Sequence, residues 1–166
     1  MINIKNNFLE IDIFNQIKKT IFDQGDQPFF PWYLQDYKVN KNDNHVQLTH
    51  VFYFKNEINS NYFDVIKPIL NKLNIKNLVK IKANVTLKQN EIKPYGYHTD
   101  FNKPENEDMN SAIFYFHTTN GPTFFKDNPQ VDCIENTMVA FPASLEHTGS
   151  THTNNLFRGV LNINWR

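Results

Sequence analysis

The chain has a single cysteine, Cys133, so no intramolecular disulfide can form, which suits a reducing cytoplasm. It has no charge surplus either: Lys plus Arg and Asp plus Glu number 17 each. That balance lacks the basic footprint of a dedicated nucleic-acid binder, so no nucleic-acid partner is expected. Long hydrophobic runs are missing. Nothing approaches the roughly 20 apolar residues of a membrane span, and residues 1–7 lack the apolar core of a signal peptide. No membrane partner is expected. Glycine and alanine are scarce, while Asn, Lys, Ile and Phe are frequent. AT-rich codons give this bias, which points to a bacterial or phage genome and says nothing of chemistry. Internal repeats and Pro/Gly/Ser linkers are also lacking, so one domain over residues 1–166 is expected. What the chain does have is apolar material, 40% hydrophobic and 14% aromatic residues, enough for a sizeable core.

The order of patterns along the chain gives the fold class. Asp12 is placed to cap a helix over 13–22, in which Ile13, Ile17 and Ile21 share a face. Residues 23–44 are broken by Gly25, Pro28 and Pro31 and carry Phe29, Phe30, Trp32 and Tyr33, an aromatic-rich loop with short strands. A strand follows over 46–55. A second helix is expected from Ser60 to about Leu73, with Val65, Ile66, Ile69, Leu70 and Leu73 apolar. Pro68 falls inside it and either kinks it or delays its start. From Leu78 the period drops to two: Val79, Ile81, Ala83, Val85 and Leu87 alternate with Lys80, Lys82, Asn84, Thr86 and Lys88. Short strands are expected over 95–98, 111–117, 123–125, 138–141, 145–147 and 156–165, and Asn120-Gly121 reads as a hairpin turn. Helices first and strands after predict an α+β, mainly β, domain: a sandwich or barrel with helices on one outer face.

Chemistry concentrates in the second half. On a strand His98 and Asp100, at i and i+2, leave the same face, so an imidazole and a carboxylate can grip one ion. His147 is the candidate third ligand, at the end of a predicted strand. Two His and one carboxylate on one face of an octahedron leave three positions open, the facial triad of non-haem Fe(II) oxygenases. His-x-Asp alone equally describes a strand-end His bonded to a nearby Asp. Arg158 strengthens the metal reading. It follows His147 after a turn, on a strand whose Phe157, Leu161, Ile163 and Trp165 take one face and whose Arg158, Val160, Asn162 and Asn164 take the other. A guanidinium entering a barrel is costly without an anion. A dicarboxylate would pair with it bidentately.

His98-x-Asp100, then His147, then Arg158 resembles the 2-oxoglutarate/Fe(II) dioxygenase superfamily, and most of all its prolyl 4-hydroxylase-like branch. The resemblance runs over residues 95–161, through Tyr95-Gly96-Tyr97-His98-Thr99-Asp100, Ile113-Phe114-Tyr115-Phe116, Gly121-Pro122-Thr123-Phe124-Phe125, Phe141-Pro142-Ala143-Ser144-Leu145-Glu146-His147 and Phe157-Arg158-Gly159-Val160-Leu161. It implies a double-stranded β-helix, or jelly roll, with the N-terminal helices packed on the major sheet. It also implies Fe(II) on His98, Asp100 and His147, with 2-oxoglutarate chelating it and its distal carboxylate on Arg158. The implied reaction uses O2 to hydroxylate an unactivated C–H of a peptide (prolyl included) or a small molecule, with release of succinate and CO2. Further implied cosubstrate or pocket residues are Tyr115, beside the Arg, and Tyr95, at the border of the site. Asn84, on the polar face of the preceding strand, is a candidate for contact with cosubstrate or substrate. Each has a plain alternative: Tyr115 and Tyr95 as packing aromatics, Asn84 as a solvent-facing amide. Val160 stands where some members carry Ser or Thr, which bears only on the branch. Retention of Asp100 favours hydroxylation over halogenation, where a small residue replaces the carboxylate.

Two rivals share the barrel: a cupin-like metalloenzyme, which would leave Arg158 without a task, and a non-catalytic jelly-roll binding module. Among the other histidines, His50 reads as half-buried on a strand and His117 as pointing inward near a strand end. His45 reads as a surface residue. His152 sits too close to Arg158 to be the distal ligand. Cys133 reads as a small apolar residue. The aromatic loop and residues 101–110, with Glu105, Glu107 and Asp108, are candidates for shaping the pocket, the latter as a lid.

Overall fold

The computed structural model describes residues 1–22, 25, 29–41, 45–101 and 108–166. Helix α1 (Ile11–Phe22) starts earlier than expected, with Asp12 inside its first turn, where a carboxylate meets the positive end of the helix dipole. Its buried face is Phe14, Ile17 and Ile21. Ile13, expected on that face, is 39% exposed. Ile13 and Phe14 compete for one stripe a turn before Ile17, and the larger aromatic takes the core. The second helix is shorter than expected. Ser60 Oγ accepts the Tyr62 N–H at 3.0 Å and fixes a turn instead. A 3-10 turn then covers Phe63–Ile66, and α2 (Lys67–Leu73) follows with Pro68 in its first turn, where a missing N–H leaves no bond unmade.

The strands among the described residues are β1 (Asn3–Lys5), β2 (Tyr33–Gln35), β3 (Gln47–Phe54), β4 (Glu57–Ile58), β5 (Leu78–Leu87), β6 (Asn110–Tyr115), β7 (Thr119–Phe125), β8 (Val131–Cys133), β9 (Thr137–Pro142), β10 (His147–Thr148) and β11 (Phe157–Trp165). They form an eight-stranded sheet in the order β1-β9-β6-β11-β5-β3-β2, with β4 on β3, and a three-stranded sheet, β10-β7-β8. All pairings are antiparallel. The result is a mainly β jelly roll, with helices added to one side.

Strand alternation divides the interior in two. One face of the large sheet, including Ile81, Ala83, Phe114, Leu161 and Ile163, packs against Phe14, Ile17 and Ile21 of α1 and Ile66 and Ile69 of the second helical segment. The other face sends Ile113, Tyr115, Val139, Phe141 and Val160 toward Phe125, Val131 and Cys133 of the small sheet. Between the sheets, β5 contributes Lys80, Lys82 and Asn84 and β11 contributes Arg158, Val160, Asn162 and Asn164 to one cavity. The period of two read from the sequence is therefore a division between apolar core and polar cavity.

Two expected elements are absent as such. Residues 95–98 form no strand; the segment meets its neighbour through isolated bridges, Pro94 to Ser150 and His98 to His147, and a Gly96 N–H bond to Thr148 Oγ1 at 3.2 Å. Gly96, at φ +131°, interrupts the extended run. Asn120-Gly121 is not a hairpin turn but lies within β7, where the pairing with β8 shifts register between Thr119 and Thr123. Gly121 is there for close approach: a Cβ would stand 2.5 Å from the Thr151 carbonyl oxygen. Glu105 and Glu107 of the suggested lid, and Pro28 of the aromatic loop, lie outside the described residues. No helix among the described residues is long and apolar enough to cross a membrane.

Candidate metal centre and cosubstrate cavity

His98 and His147 face each other across the second of these isolated bridges. Each backbone N–H donates to the other's carbonyl, at 3.0 and 2.9 Å, which brings the ring centroids to 4.6 Å. Asp100, two residues on, completes the group, and one ligand atom from each of the three lies within 4.8 Å of the others. The i, i+2 spacing predicts a strand for this convergence. A single reciprocal bridge suffices.

The donors are also oriented. His147 Nδ1 lies 3.0 Å from the Leu145 carbonyl, which only accepts, so Nδ1 carries the proton and Nε2 presents its lone pair. Phe141 and Phe125 pack against the ring, at centroid distances of 4.7 and 6.0 Å. Burial lowers the pKa of His147; Asp100 and the Leu145 carbonyl oppose the shift and His98 adds to it. A neutral imidazole is the form a cation needs. His98 Nδ1 lies 3.3 Å from the Gly96 carbonyl. Asp100 Oδ2 accepts from Ser111 Oγ at 2.6 Å and from Asn164 Nδ2 at 2.9 Å, while Oδ1 lies 3.9 Å from His98 Nε2. Asn164 and Ser111 are cross-strand partners on β11 and β6, so the large sheet itself aims the carboxylate. The set of two imidazoles and one oriented carboxylate fits a first-row divalent cation such as Fe(II).

A cavity of about 220 Å³ runs from this group to Arg158. Arg158 is 4% exposed. Its Nε points at Cys133 Sγ at 3.3 Å and one terminal nitrogen donates to Thr123 Oγ1 at 3.1 Å. No carboxylate of the described residues forms an ion pair with it. The Tyr115 ring flanks the guanidinium, 5.5 Å from centroid to carbon. The Tyr115 hydroxyl meets Thr123 Oγ1 at 2.7 Å, and it is Thr123 that lines the cavity. Burial pushes the Tyr115 hydroxyl up to about 12 against the pull of Arg158, so it stays protonated. Asn84 lines the cavity and its buried Oδ1 has no partner. Tyr95 lies outside it, beside a smaller hollow with Thr86 and Thr151, and is stacked under the Lys38 ammonium at 3.7 Å. A buried cation facing a polar slot fits an anionic guest such as the distal carboxylate of 2-oxoglutarate.

No family model matches the sequence, and no curated protein is detectably similar to it. Solved structures are. An oxidoreductase of the 2OG-Fe(II) oxygenase family from Burkholderia pseudomallei superposes with a TM-score of 0.73 at 12% identity, over 99% of this chain and 84% of that one. The chain has the fold of the 2-oxoglutarate/Fe(II) oxygenases. A prolyl-4-hydroxylase from Pseudomonas putida gives 0.68 at 12% identity over 99% and 90%. A prolyl hydroxylase from Trichoplax adhaerens, solved with a hypoxia inducible factor peptide fragment, gives 0.70 at 12% identity over 99% and 82%.

Within this oxygenase fold the remaining histidines have other surroundings. His50 is buried on β3, between the Pro31 carbonyl at 2.8 Å and Ser60 Oγ at 2.7 Å. His117 accepts the Gly159 N–H. His152 is fully buried and outside the triad. His45 packs edge-on against Tyr95. Sequence reasoning assigned no role to Ser111, Asn164, Thr123, Lys80 or Lys82. Strand parity carried a signal for four of them. Ser111 shares the face of Tyr115 on β6, Asn164 that of Arg158, and Lys80 and Lys82 that of Asn84. Thr123 had no comparable sign, because its place depends on the β7 register.

Proposed function

We propose that this chain is a single-domain Fe(II)- and 2-oxoglutarate-dependent dioxygenase that hydroxylates an unactivated C–H of a peptide or small molecule. The observation that carries the reading is one cavity with the His98–Asp100–His147 group at one end and, at the other, a buried Arg158 that has no carboxylate partner among the described residues. A cupin-like or purely binding jelly roll would have no use for that second feature.

In this reading His98, Asp100 and His147 hold Fe(II), and bound iron with 2-oxoglutarate supplies O2 activation and the oxidising equivalent, releasing succinate and CO2. The chain's own residues do the rest. Arg158 holds the distal carboxylate, with Thr123 as a hydroxyl donor beside it and Tyr115 fixing both. Ser111 and Asn164 hold Asp100 Oδ2, which leaves Oδ1 on the side of His98 as the atom that would meet the metal. Val160 and Ile113 give the slot apolar walls. Two imidazoles and one carboxylate would hold the ion with fewer protein ligands than an octahedral ion takes, which would leave room for cosubstrate and O2. A reducing cytoplasm suits the free thiol of Cys133, packed against Arg158.

The test is a pair of measurements. Mn(II)-loaded protein should bind 2-oxoglutarate in an anaerobic calorimetric titration, and Fe(II)-loaded protein should form succinate in air. His147→Ala should abolish metal binding and, with it, succinate formation, to below about a hundredth of wild type. Metal binding without any 2-oxoglutarate affinity would return the chain to the cupin-like reading.

A further inference from the structure

The walls of the cavity carry more positive charge than the proposed cosubstrate needs. Among the described residues Lys38, Lys80, Lys82 and Arg158 line it, against one carboxylate, Asp100. Lys38 sits over the Tyr95 ring near the Arg158 end. Lys80 and Lys82 are elsewhere. On the β5–β11 ladder Arg158 is opposite Thr86, Val160 opposite Asn84, Asn162 opposite Lys82 and Asn164 opposite Lys80. Lys82 is thus four residues, or roughly 13 Å, along β5 from the level of Arg158. Lys80, two residues further on, is opposite Asn164, whose amide holds Asp100. The two ammonium groups belong to the metal end, where the reacting carbon of a substrate has to be.

Neither lysine has a counter-ion among the described residues. Lys80 has the Phe54 ring at 5.9 Å, and Lys82 makes no ion pair or hydrogen bond among the described residues. Asp100 does not neutralise them as a partner would: its Oδ2 is taken by Ser111 and Asn164. Burial and the charge of Lys80 bring Lys82 down to about 8, and the charge of Asp100 only partly offsets this. Two like charges on one wall of a half-buried cavity are unfavourable unless something negative enters. Asn162 stands opposite Lys82 on the same wall and supplies an amide donor.

We infer that Lys80 and Lys82 form the recognition site for a substrate carboxylate, so that the enzyme oxidises a C–H close to a free acid group and rejects the neutral analogue. The inference rests on the proposed dioxygenase activity. A carboxylate lying between the two ammonium groups would relieve their repulsion and bring its neighbouring carbons toward the His98–Asp100–His147 group. An amide in its place would leave both charges unpaired.

The test compares short aliphatic carboxylic and amino acids, and end-blocked peptides containing Asp or Glu, with the amide counterpart of each. The readouts are succinate formation by the Fe(II) enzyme and a hydroxylated product by mass spectrometry. The acids should be accepted and the amides not. The free acids and the peptides separate a small-molecule source of the carboxylate from a side-chain source. Lys80→Gln and Lys82→Gln should each raise the KM for the accepted acid by about tenfold, and added salt should raise it in wild type. The 2-oxoglutarate Kd of the Mn(II) protein should move far less, which separates substrate recognition from loss of fold or cosubstrate. Equal use of acids and amides, unchanged KM in both variants, or rejection of every acid by an enzyme that binds 2-oxoglutarate would overturn the inference. Failure of wild-type protein to bind 2-oxoglutarate at all would instead overturn the dioxygenase reading beneath it.

Discussion

At the scale of single residues, Arg158 is where burial and chemistry conflict most. Its guanidinium is enclosed, bonded to a hydroxyl and a thiol, and faces a polar slot rather than a carboxylate. In the proposed function the missing partner is the distal carboxylate of the cosubstrate. Arg158→Ala should therefore leave metal affinity nearly unchanged, since Arg158 contributes no ligand atom, but weaken 2-oxoglutarate by about 2–4 kcal/mol, on the order of 30- to 1000-fold in Kd. Calorimetry on the Mn(II) protein reads both numbers, and an unchanged Kd would remove the cosubstrate assignment. Arg158→Lys should fall between, having charge without the fork. Much of this site was legible in the sequence because His98, Asp100, His147 and Arg158 are chemically unusual in apolar or strand-like surroundings. Thr123, Ser111 and Asn164 are not unusual. A hydroxyl or amide on a strand becomes significant only once pairing puts it against Asp100 or Arg158.

Secondary-structure elements show the same division. The long alternating strands β5 and β11 were readable because a two-residue period sustained over nine or ten residues rarely arises except in a strand with two unlike faces. β1, β4 and β8, at two or three residues each, are too short to leave a pattern and exist only through their partners. Asn120-Gly121 misled because the dipeptide is favourable for a hairpin turn, whereas tertiary contact decided its use. Thr151 packs so closely against Gly121 that a Cβ would stand 2.5 Å from a backbone oxygen. Gly121→Ala should accordingly destabilise the protein by about 1–3 kcal/mol through overpacking. Denaturant unfolding would measure this, and a wild-type midpoint would show that the strand end yields without cost.

The whole molecule buries several histidines in neutral form. Burial lowers His50, His117 and His152 below the ordinary value of 6.5, and His117 comes down to about 4, with Lys18 and His152 adding to the shift and Glu135 opposing it. Each of these binds fewer protons folded than unfolded, so stability is complete above about pH 6.5 and is lost as pH falls from there toward 4. His117 alone accounts for about 3 kcal/mol of that loss. Its acceptor contact with the Gly159 N–H fails once the ring is protonated on both nitrogens. His117→Gln should flatten the acid limb of a stability–pH curve taken by urea unfolding; an unaltered limb would assign it to other groups.

The alternation of β5 and β11 also has an evolutionary consequence. Ile81, Ala83, Leu161 and Ile163 hold the helices on one side, while Lys80, Lys82, Asn162 and Asn164 face the cavity from the positions between them. Mutations at one set scarcely touch the contacts of the other, although the two are interleaved along the same strands. In the proposed function, exchange of Lys80, Lys82 or Asn162 would alter substrate choice while leaving both the helix contacts and the Asn164 bond to Asp100 in place. A single inserted or deleted codon between them would interchange the two sets and forfeit both.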